Sequence, residues 1–236
     1  MRSKFFPVML IILLHTSAIK TFGAETGENL TGINQQLIQL IDAVMADEKT
    51  NVSTEVIGLI GNGANANIQT AKGISPLMMA IYSADDTLFD FLLEAKADVT
   101  LRTNPGGMNA LCFAARYGEK RNAGIRALRL LKQGADPNTL CSAEDTALHK
   151  AAGGCAIDVA SVLIKNGAYV DATNEFGMTP LIEAVVYDCF SAVKVLVEHK
   201  AQVNYRNRDG VTAMSIAESL KHWKIVKYLK ANGGKK

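Results

Sequence analysis

Apolar residues recur at helical spacing in short paired segments along most of the chain. The segment 179–200 shows the pattern most clearly, because the polar pair Tyr187-Asp188 separates two apolar stripes. Thr179 can cap the first helix through its hydroxyl group, and Pro180 occupies the first helical position, where a missing N–H costs little. The stripes consist of Leu181, Ala184 and Val185 in the first helix and of Val193, Leu196 and Val197 in the second. This pattern predicts two short helices joined by a tight turn.

The short motif that opens this segment recurs along the chain. Its copies are Ile74-Ser75-Pro76-Leu77, Met108-Asn109-Ala110-Leu111, Asp145-Thr146-Ala147-Leu148-His149, Met178-Thr179-Pro180-Leu181 and Val211-Thr212-Ala213-Met214. Successive copies lie 34, 37, 33 and 33 residues apart. A unit of this length with a Thr-Pro-Leu-His-like start resembles the ankyrin repeat, and the resemblance covers residues 30–236. It implies an all-α ankyrin-repeat solenoid of about six helix-turn-helix units, whose neighbours stack because no unit can bury its apolar side alone.

The two ends of the predicted stack differ from its middle. The N-terminal unit is divergent and lacks the motif, but it carries two helical stripes, so we interpret it as a cap. Its apolar positions are Leu37, Ile38, Ile41 and Val44, then Val56, Ile57 and Ile60. At the other end, Lys221, Lys224, Lys227 and Lys230 give the last helix the polar outer face that a closing unit requires.

Two departures from the regular unit are visible. The second motif-bearing unit is about four residues longer than the others, which predicts an insertion at residues 119–124 between its two helices. In the third such unit, Glu144 stands where the others have glycine two residues before the helix cap. We expect a less regular turn there.

The first two dozen residues predict export. Arg2 and Lys4 precede an apolar run at residues 5–14 and a small-residue exit, as in a secretory signal peptide cleaved near Ala18 or near Gly23. The run is well short of the ~20 apolar residues of a membrane span, so no stable span is expected after cleavage. The predicted domains are a signal peptide at 1–23, a short linker at 24–32 and the repeat domain at 33–236. Localisation is predicted as periplasmic or secreted.

Charge argues against a nucleic-acid partner. Without residues 1–23 the chain has 22 basic and 23 acidic residues. Residues 25–98 carry a net charge of −8 and residues 99–236 a net charge of +7, so the two halves of the stack are oppositely charged. Such a field can steer a partner's approach.

Candidate catalytic groups are few. Cys141 lies near Asp145 and His149 in the sequence, so a thiol-dependent enzyme or a redox-active protein using Cys141 or Cys155 is the alternative to a binding protein. The resemblance instead implies that His149 makes a structural hydrogen bond to a neighbouring turn. No metal-ligand spacing is present, and we expect no enzyme activity, no cofactor and no metal site.

The four cysteines leave their redox state open. An even number in an exported chain permits disulfides, in any of three connectivities. Cys155 and Cys189 occupy nearly equivalent places in adjacent units. Stacked helices lie about 8–10 Å apart, whereas bonded cysteines have Cα atoms within about 7 Å. This comparison favours free, partly buried thiols.

The resemblance implies binding of a protein partner through loop fingers and the exposed, concave side of the first helices. The corresponding positions are Ile74, Met79, Tyr82, Met108, Phe113, Tyr117, Lys150, Glu175, Phe176, Met178, Tyr187, Arg208, Asp209 and Val211. The set is rich in aromatic residues and Met, which suit binding surfaces, although Met79, Phe113 and others can equally pack between units. We expect a monomer that is a noncatalytic interaction module. It can stabilise or inhibit an exported enzyme, or be delivered to a foreign cell.

Overall fold

The computed structural model describes residues 26–47, 51–118 and 122–235, which form twelve helices arranged as six pairs. The helices are α1 (Thr26–Met45), α2 (Ser53–Gly61), α3 (Pro76–Tyr82), α4 (Asp86–Glu94), α5 (Ala110–Arg116), α6 (Ala123–Lys132), α7 (Ala147–Gly153), α8 (Ile157–Lys165), α9 (Pro180–Val186), α10 (Phe190–Glu198), α11 (Ala213–Ser219) and α12 (Trp223–Ala231). Apart from a single bridge between Leu140 and Thr146, these residues contain no β-structure. The predicted all-α solenoid of six units is confirmed.

The first helices of the five motif-bearing units all begin with the same hydrogen bond. The N-cap side chain accepts from the backbone N–H three residues later, at 3.0–3.4 Å. The N-cap residues are Ser75, Asn109, Thr146, Thr179 and Thr212, and all are buried. Because a buried helix N-terminus cannot bond to water, these side chains satisfy donors that would otherwise be costly. The motif therefore sets where each unit starts.

Stacking places first helices against first helices and second helices against second helices. The first helices approach closely because each carries a buried alanine at the same position. These residues are Ala80, Ala114, Ala151, Ala184 and Ala217, all fully buried. The core is therefore a continuous thin layer between the two rows of helices.

Polar side chains also tie each unit to the next. Asn67, Asn138, Asp171 and Asn204 each accept a hydrogen bond from a backbone N–H 31 residues later in the chain, at 2.7–2.9 Å. Such bonds fix the register of neighbouring units, which apolar packing alone specifies weakly.

Each terminal unit contains the predicted helix pair. Helix α1 begins at Thr26, so residues 26–32 of the predicted linker are helical. In this first unit Leu37, Ile41, Val44 and Val56 are buried against α3 and α4. The lysines of the last unit are exposed. The predicted signal peptide lies outside the described residues, and no helix within them is both long and apolar enough to cross a membrane.

The connection between the two helices of the second motif-bearing unit is longer than in the others, as predicted. Six residues connect α5 to α6, whereas three connect the helices of the other motif-bearing units; residues 119–121 of this connection are outside the described part of the chain. Among neighbouring second helices, α4 and α6 make the least direct backbone contact. Arg126, which is only 2% exposed, fills the space between them and pairs with Asp86 at 2.6 Å. Arg129 pairs with Asp90 nearby and lies over the ring of Phe89.

The finger of the third motif-bearing unit has the expected irregular turn. Glu144 adopts a left-handed φ of 58°, the conformation that Gly73, Gly107, Gly177 and Gly210 adopt in the other units. Ala143 is left-handed as well, with φ of 55°. Two successive non-glycine residues in this region are unfavourable, so the surrounding contacts must hold this finger in place.

All four cysteines are paired, so the expectation of free thiols is wrong. Cys112 is bonded to Cys141 and Cys155 to Cys189, with Cα–Cα distances of 5.8 and 5.6 Å. The spacing of helix axes was the wrong measure, because both bridges involve loop residues. Cys155 lies in the turn after α7, and Cys189 is the N-cap residue of α10. Each bridge joins adjacent units.

Candidate partner-binding face

We define the groove face as the exposed side of the first helices together with the finger turns at 71–74, 104–108, 142–145, 175–178 and 208–211. The finger turns are bonded to one another: the N–H of Asn104 donates to the carbonyl of Lys72 at 2.8 Å. The guanidinium of Arg102 donates to the carbonyl of Leu140 and to the hydroxyl of Thr139, both at 2.7 Å. Hydrogen bonds therefore connect the first three fingers of this face along the stack.

The structure divides the predicted binding residues into three groups. Ile74, Met79 and Phe113 are buried. They pack inside the stack and cannot contact a partner, so the prediction of a surface role is wrong for them. The half-buried residues are Tyr82, Met108, Tyr117, Lys150, Met178 and Val211. The exposed residues are Glu175, Phe176, Tyr187, Arg208 and Asp209.

Tyr82 and Tyr117 form a fixed aromatic pair at one end of the groove face. Their rings meet edge to face with centroids 5.0 Å apart, and Phe113 supports Tyr117 from the core side at 5.7 Å. The Tyr82 hydroxyl donates to Asp47 at 2.9 Å. This hydrogen bond raises the pKa of Tyr82, with burial and the Asp47 charge acting in the same direction. These contacts hold the two tyrosine rings in a fixed orientation, in which part of their surface is available to a partner.

Phe176 and Tyr187 are the most exposed aromatic side chains of the groove face. Phe176, in a finger turn, is 59% exposed, and Tyr187, at the end of α9, is 64% exposed. The Tyr187 ring lies against Gly153 of the preceding unit, where an added Cβ atom would be 3.1 Å from the ring. Two large aromatic side chains on a buried scaffold are typical of binding anchors.

A buried polar cluster lies behind the groove face between the third and fourth motif-bearing units. Asp145 accepts hydrogen bonds from the Lys150 ammonium group at 2.5 Å and from the Asn174 amide at 2.8 Å. The same amide group lies 3.3 Å from Glu183. Burial raises the pKa of Glu183 and the Asp145 charge adds to this effect, whereas Lys150 and Asn174 oppose it. The cluster was not predicted, and it holds Lys150 in an internal ion pair, which leaves that residue less free to bind a partner.

His149 connects two units, as the resemblance implied. Its Nδ1 accepts from the backbone N–H of Thr146 at 3.1 Å, so the proton is on Nε2, which donates to the Met178 carbonyl at 2.9 Å. Burial lowers the pKa of His149, although the Met178 carbonyl and Asp145 oppose this. Cys112 occupies the same position of its own helix and also reaches the next finger, through its disulfide. The helical position three residues after the N-cap therefore connects neighbouring units in both cases, through a hydrogen bond at His149 and through a disulfide at Cys112.

Replacing His149 by Leu should destabilise the protein by about 2 kcal/mol, because the Thr146 N–H and the Met178 carbonyl lose their buried partner. The wild-type contribution depends on pH. Since the folded-state pKa lies below the ordinary value of about 6.5, this contribution is present above that pH and is lost as the pH falls below it.

Urea unfolding at pH 7.5 and 5.5 measures both effects. We expect the difference between wild type and His149→Leu to shrink at the lower pH. Comparison with His199→Ala, a change at an exposed histidine, removes the general effect of pH. A wild-type to His149→Leu difference that is the same at both pH values would contradict the assignment of a neutral, bridging His149.

The described residues offer little for the thiol-enzyme alternative. Cys141 is bonded to Cys112 and is 7% exposed, so it provides no nucleophilic thiol in this state. A groove between α1 and α2 on the outer side of the first unit is lined by Leu40, Ala43 and Leu59, with Glu55 as its ionisable side chain. Within residues 26–47, 51–118 and 122–235, no cluster of three or more His, Cys, Asp or Glu side chains is placed to hold a metal ion.

Comparison with known proteins agrees with the architecture. A family model described as "Ankyrin repeats (3 copies)" matches residues 40–139, 120–207 and 158–236. Rabankyrin-5 of Homo sapiens is 26% identical over 196 residues, which is 74% of this chain and 17% of that protein. Ankyrin repeat and SOCS box protein 16 of Mus musculus is 36% identical over 112 residues, covering 46% of this chain and 24% of the relative.

Neurogenic locus notch homolog protein 1 of Danio rerio is 31% identical over 215 residues, which is 84% of this chain but 9% of the relative. The chain thus spans less than a quarter of the length of these three relatives, and the likeness concerns their repeats. Repeats of this kind are protein-interaction modules. With the motif spacing, the stacked helix pairs and the family match in agreement, this chain belongs to the ankyrin repeat family.

Proposed function

We propose that this chain is a noncatalytic interaction module that acts outside the cytoplasm and binds an exported protein through its groove face. The observation that carries the proposal is the pair of exposed aromatic residues Phe176 and Tyr187, on a face whose other predicted aromatic residues are buried or half-buried. Only 6% of the residues are aromatic, so this placement is informative. A partner would bury these rings and gain apolar contact area on a preorganised surface.

Two features support action outside the cytoplasm. The apolar N-terminal run with its basic start is typical of an export signal. Both cysteine pairs are bonded, and disulfides persist in oxidising compartments, whereas cytosolic thiols are kept reduced. The opposite charges of the two halves further favour a partner with a complementary charge gradient. Stabilisation or inhibition of an exported enzyme fits such a noncatalytic binder.

The test compares two matched double variants in affinity capture from the native exported fraction. Phe176→Ala/Tyr187→Ala removes the groove anchors. Ile125→Ala/Tyr169→Ala removes two residues outside the groove face with similar exposures of 60% and 69%. We expect the first variant to lose captured partner by about tenfold or more, the effect of one or two interface anchors. The second should capture as wild type does.

All four positions are exposed, so both variants should unfold at nearly the wild-type urea concentration. Equal capture by both variants would refute the groove face as the binding site. The noncatalytic assignment would be refuted if the repeat protein alone converted a substrate of the captured partner into product.

A further inference from the structure

The two disulfides differ sharply in exposure. Cys112 and Cys141 are 0% and 7% exposed, so solvent thiols cannot reach that bridge in the folded protein. In the other bridge Cys189 is 2% exposed, but Cys155 is exposed. The second bridge therefore joins one exposed residue, Cys155, to one buried residue, Cys189.

The repeat itself explains this asymmetry. Cys155 occupies the left-handed position of the turn between the two helices, with φ of 54°. Ala84, Asp188 and Lys221 occupy the same position in other units, with φ between 53° and 61°, and the latter two are also exposed. Cys189 lies one residue later in its unit, at the helix cap, a position that is buried also for Ala156. Cys155 thus lies at a turn position that is exposed in two other units, and Cys189 at a cap position that is buried in the preceding unit.

The location of Cys189 also favours it as the leaving group. Thiol–disulfide exchange requires a thiolate to approach the attacked sulfur from the side opposite the departing one. Because Cys155 is the exposed residue of the pair, solvent thiols are expected to attack its sulfur rather than that of Cys189. The departing Cys189 sulfur would be at the N-terminus of the nine-residue helix α10, where unpaired N–H groups and the helix dipole stabilise negative charge.

We propose that Cys155 is a site of reversible thiol–disulfide exchange with small solvent thiols, whereas the Cys112–Cys141 bridge is inert in the folded protein. A thiolate RS⁻ forms a bond to Cys155 Sγ, and the Cys155–Cys189 bond breaks. The electron pair of that bond leaves with Cys189 Sγ as a thiolate, which takes a proton from water. A second RS⁻ can then attack the mixed disulfide, which yields RSSR and two reduced cysteines. The small thiol is the reductant throughout.

The site lies next to the groove face. Cys189 is two residues from Tyr187, and the Tyr187 ring lies against Gly153, the last residue of α7, two residues before Cys155. We expect opening of the bridge to loosen the turn beside this aromatic residue.

The test uses the fully oxidised, folded chain and reduced glutathione as the probe. Samples are quenched with acid, alkylated and digested without reductant for mass spectrometry. We expect glutathione on Cys155 and alkylation on Cys189, with the Cys112–Cys141 peptides still linked, and an exchange rate at least about tenfold higher for the exposed bridge. Cys112→Ser/Cys141→Ser should react as wild type does, and Cys155→Ser/Cys189→Ser should take up no glutathione over the same time.

Three results would overturn the proposal. The adduct could form mainly on Cys189. The two bridges could react at equal rates in the folded protein. The Cys155–Cys189 bridge could also react only after urea unfolds the chain, a result that would show that it is protected despite the exposure of Cys155.

Discussion

Replacing Asp86 by Ala should destabilise the protein by about 3 kcal/mol, the usual cost of breaking a buried ion pair by removing one of its members. The Arg126 guanidinium group is almost completely buried between α4 and α6 and lies 2.6 Å from Asp86. The same carboxylate accepts from the Asn122 amide at 2.6 Å. Loss of Asp86 therefore removes the charge that compensates a desolvated arginine at the most open point of the stack.

Urea unfolding supplies the measurement, and the neighbouring ion pair supplies the control. Asp90 pairs with Arg129, but these side chains are 51% and 36% exposed, so Asp90→Ala should cost less than about 1 kcal/mol. The double variant Asp86→Ala/Arg126→Met should recover much of the loss, because an apolar side chain of similar length needs no counter-charge. An Asp86→Ala variant no less stable than Asp90→Ala would contradict the structural role of this pair.

Replacing Cys112 and Cys141 by Ser should lower the stability of the oxidised protein by about 3 kcal/mol, the loss expected when a bridge of this loop length is removed. The two cysteines are 29 residues apart in sequence. The bridge restricts the unfolded chain and holds the irregular third finger, which carries two left-handed non-glycine residues, against α5.

Cys155→Ser/Cys189→Ser is a matched control, because its bridge spans a similar separation of 34 residues. Chain entropy alone predicts equal losses for the two variants. The Cys112 variant should nevertheless be the less stable, because its two serine hydroxyl groups replace sulfur in a buried site. Urea midpoints of the oxidised proteins decide between these outcomes. A Cys112→Ser/Cys141→Ser variant as stable as wild type would show that the bridge contributes nothing.

The repeated motif was sufficient to predict the units and their helix starts. It places a capping residue, a small residue and an apolar stripe at fixed offsets, and each of these acts within a few residues of its own position. The same locality explains the correct expectations for the lengthened connection before α6 and for the turn at Glu144. The structural role of His149 was predicted because the family motif implies a hydrogen bond from this histidine to the neighbouring turn.

Apart from that of His149, the contacts between units could not be predicted from the sequence. A disulfide between Cys155 and Cys189 depends on a one-residue offset between a turn position and a cap position, which helix spacing does not reveal. Arg126 looks like a polar surface residue in the sequence, and its burial between α4 and α6 is visible only in the stacked structure. Met79 and Phe113 occupy positions that the family resemblance assigns to the binding surface, but in helices of seven residues nearly every side chain faces a neighbour.

Site-specific photo-crosslinking shows directly whether a partner binds through the groove face. A photoreactive amino acid is placed at position 176 in a finger turn or at position 125 on α6, two sites of nearly equal exposure. After illumination in the native exported fraction, we expect a crosslinked partner from position 176 and none from position 125. Crosslinking from position 125 with none from position 176 would contradict it.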